Sequence, residues 1–342
     1  MRAGSLAHES IIAILHRRFV STFFDIYPGP AYDEAGAAFA EQQEDSLNYG
    51  AICTPDGEVI VTFGFNPVEV YLAMLYALRA HPEFGQPTPE EKETLRGATE
   101  GAERIPALLT AAVLAGELLE FDRARVWLDQ VLELDPSRED RNRALYLCGR
   151  THLLDIGNFD PDACRADFDR IVDPSPSLAA DIALDRIMLD THPRAHIFFG
   201  GWTFREGVDV TAIKERLRHL IATQPKHRRI GEMHFLLGLA CAELGRLDEA
   251  KKIWADHVRR WPDDRTAMLS HLHSPTYDFS PLHGSGFIGG NSPGGFGNDV
   301  PMLIRRLGQL GVDVRDTRDL LTPGQESVDG VSMPTTAPSN DK

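Results

Sequence analysis

At 342 residues the chain is long enough for two domains, or one domain joined to a repeat array, with ample material for a core. Its 35 Lys and Arg stand against 51 Asp and Glu, and a net charge of −16 argues against nucleic acid, or an anionic membrane surface, as the main partner. Four scattered cysteines (Cys53, Cys148, Cys164, Cys241), with no Cys-x-x-Cys pair, fit neither a disulfide framework nor a zinc site and suit a reducing compartment.

The first twenty residues place His8, Glu9 and His16 to Arg18 among apolar ones, which is no secretory pattern. No apolar run approaches the ~20 residues of a membrane-spanning helix, so the sequence predicts a cytoplasmic protein with no membrane insertion. Leu6 to His16 reads as an amphipathic helix, and Phe19 to Ile26 as a β-rich apolar run ended by Tyr27-Pro28-Gly29-Pro30. Asp33 to Gln43 is alanine-rich and reads as helix. Ala51 to Cys53 and Glu58 to Phe63 flank Thr54-Pro55-Asp56-Gly57, a turn signal that predicts a hairpin. Asn66 and Pro67 then supply the cap and first turn of a helix through about Arg79.

This order resembles the later part of a thioredoxin-like domain. FVSTFFDI matches the strand after that family's first helix, TPDGEVIVTFGF its hairpin and NPVEVYLAMLYAL its final helix. The family's redox cysteines precede the first helix, where this chain begins, and no proline stands at Asn48 to Ala51, where its cis-proline loop would fall. The resemblance implies a small α/β module over residues 1–84 without redox chemistry, unless a cysteine motif lies upstream of Met1. An unrelated small α/β unit is the other reading.

Pro87 to Glu91 reads as a linker and helix start, opening a helical array over residues 90–265. Ile105 to Pro136 forms a helix pair, with Ala111, Ala112 and Ala115 in the first helix and Ala124 and Leu128 in the second. Arg141 to Pro174 is a looser copy turning at Gly157-Asn158-Phe159, with Phe168 and Ile171 facing the core. Leu178 to Asp190 and Ile213 to Thr223 are one-sidedly apolar helices, and Thr191 to Phe204 between them breaks the period as a long loop or inserted turn. Gly231 to Pro262 states the pattern most clearly: an apolar helix with Gly238 at its middle, a stop at Leu244-Gly245, then Ala250, Trp254 and a closing proline.

That last stretch resembles a tetratricopeptide (TPR) repeat at Leu237, Gly238, Ala250, Trp254 and Pro262, and departs from it at His234, Cys241 and His257. Aligned on their prolines, Ala124 falls over Ala250 and Leu128 over Trp254. The resemblance implies a stack of helical hairpins that binds peptides or proteins.

Residues 266–321 are rich in His and Gly and end in a helix from Asp299 and Pro301 to about Leu310, closed by Gly311 and expected to pack on the array. His271, His273 and His283 have residue types and a His-x-His spacing able to ligate zinc or another divalent metal; capping or surface exposure is the alternative. GSGFIGG, from Gly284, has the letters of a dinucleotide fingerprint without the strand and helix it needs, so no cofactor is predicted. Residues 322–342 are Pro-, Ser-, Gly- and acid-rich and are predicted disordered.

No nucleophile elbow or Cys/His signature marks a catalytic residue. Lys226-His227-Arg228-Arg229 reads as a loop before the last repeat, open to an acidic partner tail. Trp254 and Trp261 read as core and rim, and Arg150, Arg194 and Trp202 as surface contacts. The chain is thus expected to be mainly α, a TPR-like solenoid preceded by a thioredoxin-like module. Its expected function is that of a non-enzymatic adaptor, assembly factor or accessory subunit gripping one dominant protein complex or peptide segment. In architecture it is similar to maturation chaperones of bacterial metalloenzymes. The alternative is a redox or metal-handling protein using an upstream cysteine motif or the three histidines.

Overall fold

The computed structural model describes residues 8–20, 50–63, 67–100, 104–193, 202–262, 264, 266, 267, 270 and 300–316. These residues are mainly helical, with two small antiparallel hairpins, and no helix among them is long and apolar enough to cross a membrane. Most of the Phe19–Ile26 run, the Asp33–Gln43 helix and residues 322–342 lie outside them.

The N-terminal module contains α1 (Glu9–Arg18), β1 (Gly50–Cys53), β2 (Val59–Phe63) and α2 (Pro67–Ala80). Gly57 takes φ +88° and donates its N–H to Thr54 O at 3.0 Å, while Thr54 N–H and hydroxyl both engage Glu58. A left-handed glycine closing a turn matches the twist of the two strands. Ile52 faces Val61, and the register shift at Cys53 absorbs one additional residue. Helix α2 buries Val68, Val70, Tyr71, Leu72, Ala73, Met74, Leu75 and Ala77. A helix buried on nearly every side must be covered on nearly every side. The hairpin covers part of it, and α12 (Val300–Gln309) covers another. The final helix therefore lies on α2 rather than on the array, because α2 needs a second apolar neighbour and Leu303 and Leu307 supply it.

The array follows as α3 (Pro89–Glu100), α4 (Arg104–Glu117), α5 (Phe121–Glu133), α6 (Arg138–Leu154), α7 (Pro161–Asp169), α8 (Pro176–Leu189), α9 (Val210–Thr223), α10 (Ile230–Glu243) and α11 (Leu247–Arg260). Helix α3 opens with a capping box, Thr88 and Glu91 exchanging side-chain-to-backbone hydrogen bonds of 3.3 and 2.9 Å. The links after α5 and α7 repeat one local solution. Asp135 and Asp173 adopt positive φ (51° and 46°), Pro136 and Pro174 follow, and Ser137 and Ser175 cap the next helix. Asp tolerates the left-handed conformation better than most side chains, and Ser accepts an orphan N–H at the helix start.

Neighbouring helices pack in pairs, α4 on α5, α6 on α7 and α10 on α11, while α4 also touches α6 and α6 touches α8. Close approach within pairs depends on glycine at two crossings. A Cβ on Gly238 would lie 2.6 Å from Trp254 Cδ1, and one on Gly149 would lie 2.8 Å from Phe168 Cδ1. Trp254 Nε1 donates to Phe235 O at 3.1 Å, so the indole is buried with its one donor satisfied. Ala124, Leu128 and Ala250 are fully buried and Trp254 nearly so, at the positions the prolines align. Thr191 to Phe204, read from sequence as a long loop or an inserted turn, closes at its base as a hairpin. Strands β3 (Thr191–Pro193) and β4 (Trp202–Phe204) pair antiparallel, and Phe204 is buried between α8 and α10.

Module and array meet at a 3-10 turn, Ile156–Asn158. Tyr71 donates its hydroxyl to Asp155 Oδ1 at 3.1 Å, and Arg125 reaches Asp155 Oδ2 at 3.3 Å. Arg315 N–H donates to Gly157 O at 2.8 Å, its guanidinium to Asn158 O at 3.0 Å, and Val314 packs on Gly157. On α1, Arg17 pairs with Glu117, and both Arg17 (3.0 Å) and Arg18 (2.5 Å) pair with Glu91.

Candidate functional site

The last three array helices form the most distinctive region, and buried charge fixes them to the rest. Helix α8 presents Asp181 and Asp185 on one face, four residues apart, and both are buried. Arg229, immediately before α10, binds Glu232 through two hydrogen bonds (2.9 and 2.8 Å) and reaches Asp185 Oδ1 at 2.7 Å and Asp181 Oδ1 at 3.5 Å. Arg228 adds a contact to Asp181 at 3.1 Å. His227 Nδ1 accepts the Arg229 N–H at 3.2 Å, and its Nε2 lies 3.3 Å from Ser177 O. On the far side of Asp185, Arg150 of α6 lies with its Nε 3.9 Å away, donates to Tyr146 Oη at 3.3 Å and pairs with Glu9 of α1 at 2.5 Å. One connected set of charges thus joins α1, α6, α8 and α10.

The electrostatics follow from burial. Burial alone would lower the arginine pKa values; Asp185 and Glu232 around Arg229, and Glu9 and Asp185 around Arg150, more than reverse this and hold both well above the ordinary value. Among the described residues Asp185 Oδ2 accepts no hydrogen bond, so that carboxylate depends on the two guanidiniums. The sequence reading of Arg150 as a surface contact is corrected: only 9% of it is exposed. Lys226-His227-Arg228-Arg229 is corrected in part, because His227, Arg228 and Arg229 engage the chain's own α8 rather than a partner's acidic tail. The side chains of Arg194 and Trp202 are outside the described residues. Asp181, Asp185 and Glu232 were missed; the signal was a carboxylate pair on the apolar side of α8 and a glutamate in an otherwise apolar α10.

A second buried cluster closes the array. His257, one of the departures from the repeat pattern, is fully buried; its Nδ1 lies 2.6 Å from Ser270 Oγ and its Nε2 3.5 Å from Asp264. A Cβ on Gly231 would meet Asp264 at 2.6 Å and His257 Nε2 at 2.9 Å, so only glycine permits this approach. Ser, His and Asp are the residue types of a nucleophilic triad, but a nucleophile must reach its substrate, and Ser270 is fully buried. The cluster acts as a clasp holding the chain after α11 against α10. Burial opposes ionisation of Asp264, yet the neighbouring His257 and hydrogen bonds from Thr266 keep its pKa below the usual carboxylate value.

Across the outside of α9, α10 and α11 runs an open groove of about 330 Å³. Ile221, Leu237 and Ile253 line its apolar part, with Arg218, Lys252 and Asp256 at the rim. His234 sits at one end, its ring 4.9 Å from that of Trp261. Burial, with His257 nearby, depresses the His234 pKa, so the ring is neutral at neutral pH.

Other chemistry has less to work with. All four thiols are free and shifted upward, chiefly by burial, Cys148 to about 12; none has the depressed pKa of a reactive cysteine. His271, His273 and His283 lie outside the described residues, and among the described ones no group of three or more His, Cys, Asp or Glu is placed to hold a metal. No family model matches the chain, and neither curated proteins nor solved structures contain a match to it.

Proposed function

We propose that the protein is a non-catalytic binding scaffold: an adaptor, assembly factor or accessory subunit that grips a protein partner through a TPR-like array. The observation that carries this reading is the packing order. Helices pair as hairpins, the α4–α5 and α6–α7 hairpins touch through their first helices, and α6 in turn touches α8, an order that supports a stacked arrangement. Such stacks bury their apolar faces against neighbours and leave long surfaces free for a partner. The small α/β module, thioredoxin-like in its hairpin and following helix, is a fixed positioning element in this reading, tied at the 3-10 turn and through α1. Maturation or assembly of a larger enzyme complex is the kind of task such an architecture serves, and fold alone does not name the client.

Affinity capture of the tagged protein from its own cells, at low and high salt with mass-spectrometric readout, tests the proposal. A near-stoichiometric protein partner is expected, and its persistence at high salt would mark a permanent subunit or dedicated assembly factor. No enriched partner at either salt would overturn the scaffold reading.

A further inference from the structure

We propose that the groove across α9, α10 and α11 seats an acidic segment of the partner protein. An aliphatic side chain of that segment lies on Ile221, Leu237 and Ile253, and its carboxylates face Lys252. This rests on the scaffold reading and supplies the chemistry of its partner.

Charge is unevenly distributed along the chain. The chain as a whole has 35 Lys and Arg against 51 Asp and Glu, but residues 210–260 have eleven Lys and Arg against six Asp and Glu. Helices α9, α10 and α11 with their links are therefore a basic block on an acidic chain. Within that block much charge is already paired: Arg229 internally with Asp185 and Glu232, and Arg218 with Glu215 (3.0 Å) and Glu249 (2.6 Å). At the rim of the groove one cation is left over among the described residues. Asp256 alone serves both Arg259 and Arg260, and exposed Lys252 has no ion-pair partner among the described residues. A positive excess remains within a Debye length, roughly 8–10 Å at physiological salt, of an apolar floor.

That combination selects among occupants. A volume of about 330 Å³ stands at the small end of ligand sites and suits one or two aliphatic side chains. Apolar anchors flanked by charge are what an amphipathic helix offers when it lies in a groove. Nucleic acid would meet the repulsion of a chain carrying −16 and a floor of aliphatic rather than stacking aromatic side chains. Complementary charge at the rim would speed association and reject basic sequences more than it would deepen affinity.

The test uses the full chain and two fluorescein-labelled helical peptides of about 16 residues, with leucines at helical spacing and either Glu or Lys elsewhere. Fluorescence anisotropy should show binding of the Glu peptide, weakening with salt, and none of the Lys peptide. Lys252→Glu and Ile253→Gln, each checked by circular dichroism for an unchanged fold, should each weaken binding about tenfold. Equal binding of both peptides, affinity unchanged in Lys252→Glu, or displacement of the Glu peptide by duplex DNA would overturn the proposal. So would a concentration-dependent dimer of the chain that Lys252→Glu abolishes, because the groove would then be filled by a second copy. Cellular capture separates the two levels. A partner retained by Lys252→Glu protein defeats the groove assignment and leaves the scaffold reading standing; no partner on either protein defeats the scaffold reading itself.

Discussion

Two contacts made by α10 rest on opposite physics. Against α11 it meets its neighbour through a glycine, Gly238, pressed on a tryptophan, with an apolar surround. Against α8 it meets Asp181 and Asp185 through Arg229, in a network that also takes in Arg150 and Glu9. The first contact is set by shape and apolar burial, with one directional bond, from Trp254 Nε1 to Phe235 O. The second is directional, and each charge is costly unless its partner is present. The hairpin is thus assembled by shape, and its position on the rest of the array is specified by charge.

Breaking the charged seam should have the largest effect. Arg229→Met leaves Asp185, Glu232 and Asp181 without their shared cation, and a loss of about 3–5 kcal/mol in urea unfolding is expected. Adding Asp185→Leu and Glu232→Leu to that variant should recover part of the loss, because these two carboxylates are then no longer buried without their cation, while Arg150 keeps Glu9. A single variant with unchanged midpoint would show that the seam is held by its apolar contacts alone.

The apolar crossing should give a smaller, purely steric effect. Gly238→Ala must push Trp254 aside, and about 1–3 kcal/mol of destabilisation is expected for an overpacked core. Retained Trp254 fluorescence and an unchanged unfolding midpoint would mean that α10 and α11 separate freely and that glycine is not required there.

Acid should weaken the structure through two histidines. His152 and His234 both have depressed pKa values, first through burial, then through Arg125 for His152 and His257 for His234. For each, the folded state binds fewer protons than the unfolded one, whose value is 6.5. Their stabilising contribution is therefore complete above that value and is lost as pH falls below it toward the depressed folded values. Urea titrations on either side of pH 6.5 should show lower stability on the acid side, and His152→Gln with His234→Gln should flatten that slope. The smallest effect on stability belongs to Lys252→Glu, within about 0.5 kcal/mol for an exposed position, although the same variant should bind the acidic peptide about tenfold more weakly.

The elements held by shape were legible in the sequence. Gly245, with φ +75°, ends α10 where the leucine-glycine pair predicts, and the Pro-Asp-Gly turn makes the β1–β2 hairpin. Ala124 and Ala250 are buried at positions aligned by the prolines. Charged residues were misread because a charge in a helix is ordinarily solvated, and linear spacing does not reveal that Arg229 faces two carboxylates some 45 residues earlier. The pairing within Thr191 to Phe204, read as a long loop or inserted turn, was not legible because its paired ends are three residues each, too short for an alternating pattern to register. The seat of α12 was recoverable in principle: an apolar helix as continuous as α2 calls for a second cover.

The most direct measurement of the central claim is amide hydrogen exchange of the full chain alone and with its captured partner. The account predicts added protection concentrated on α9, α10 and α11, with the 3-10 turn and the β1–β2 hairpin unchanged. Added protection confined to the N-terminal module, with none on the array, would contradict it.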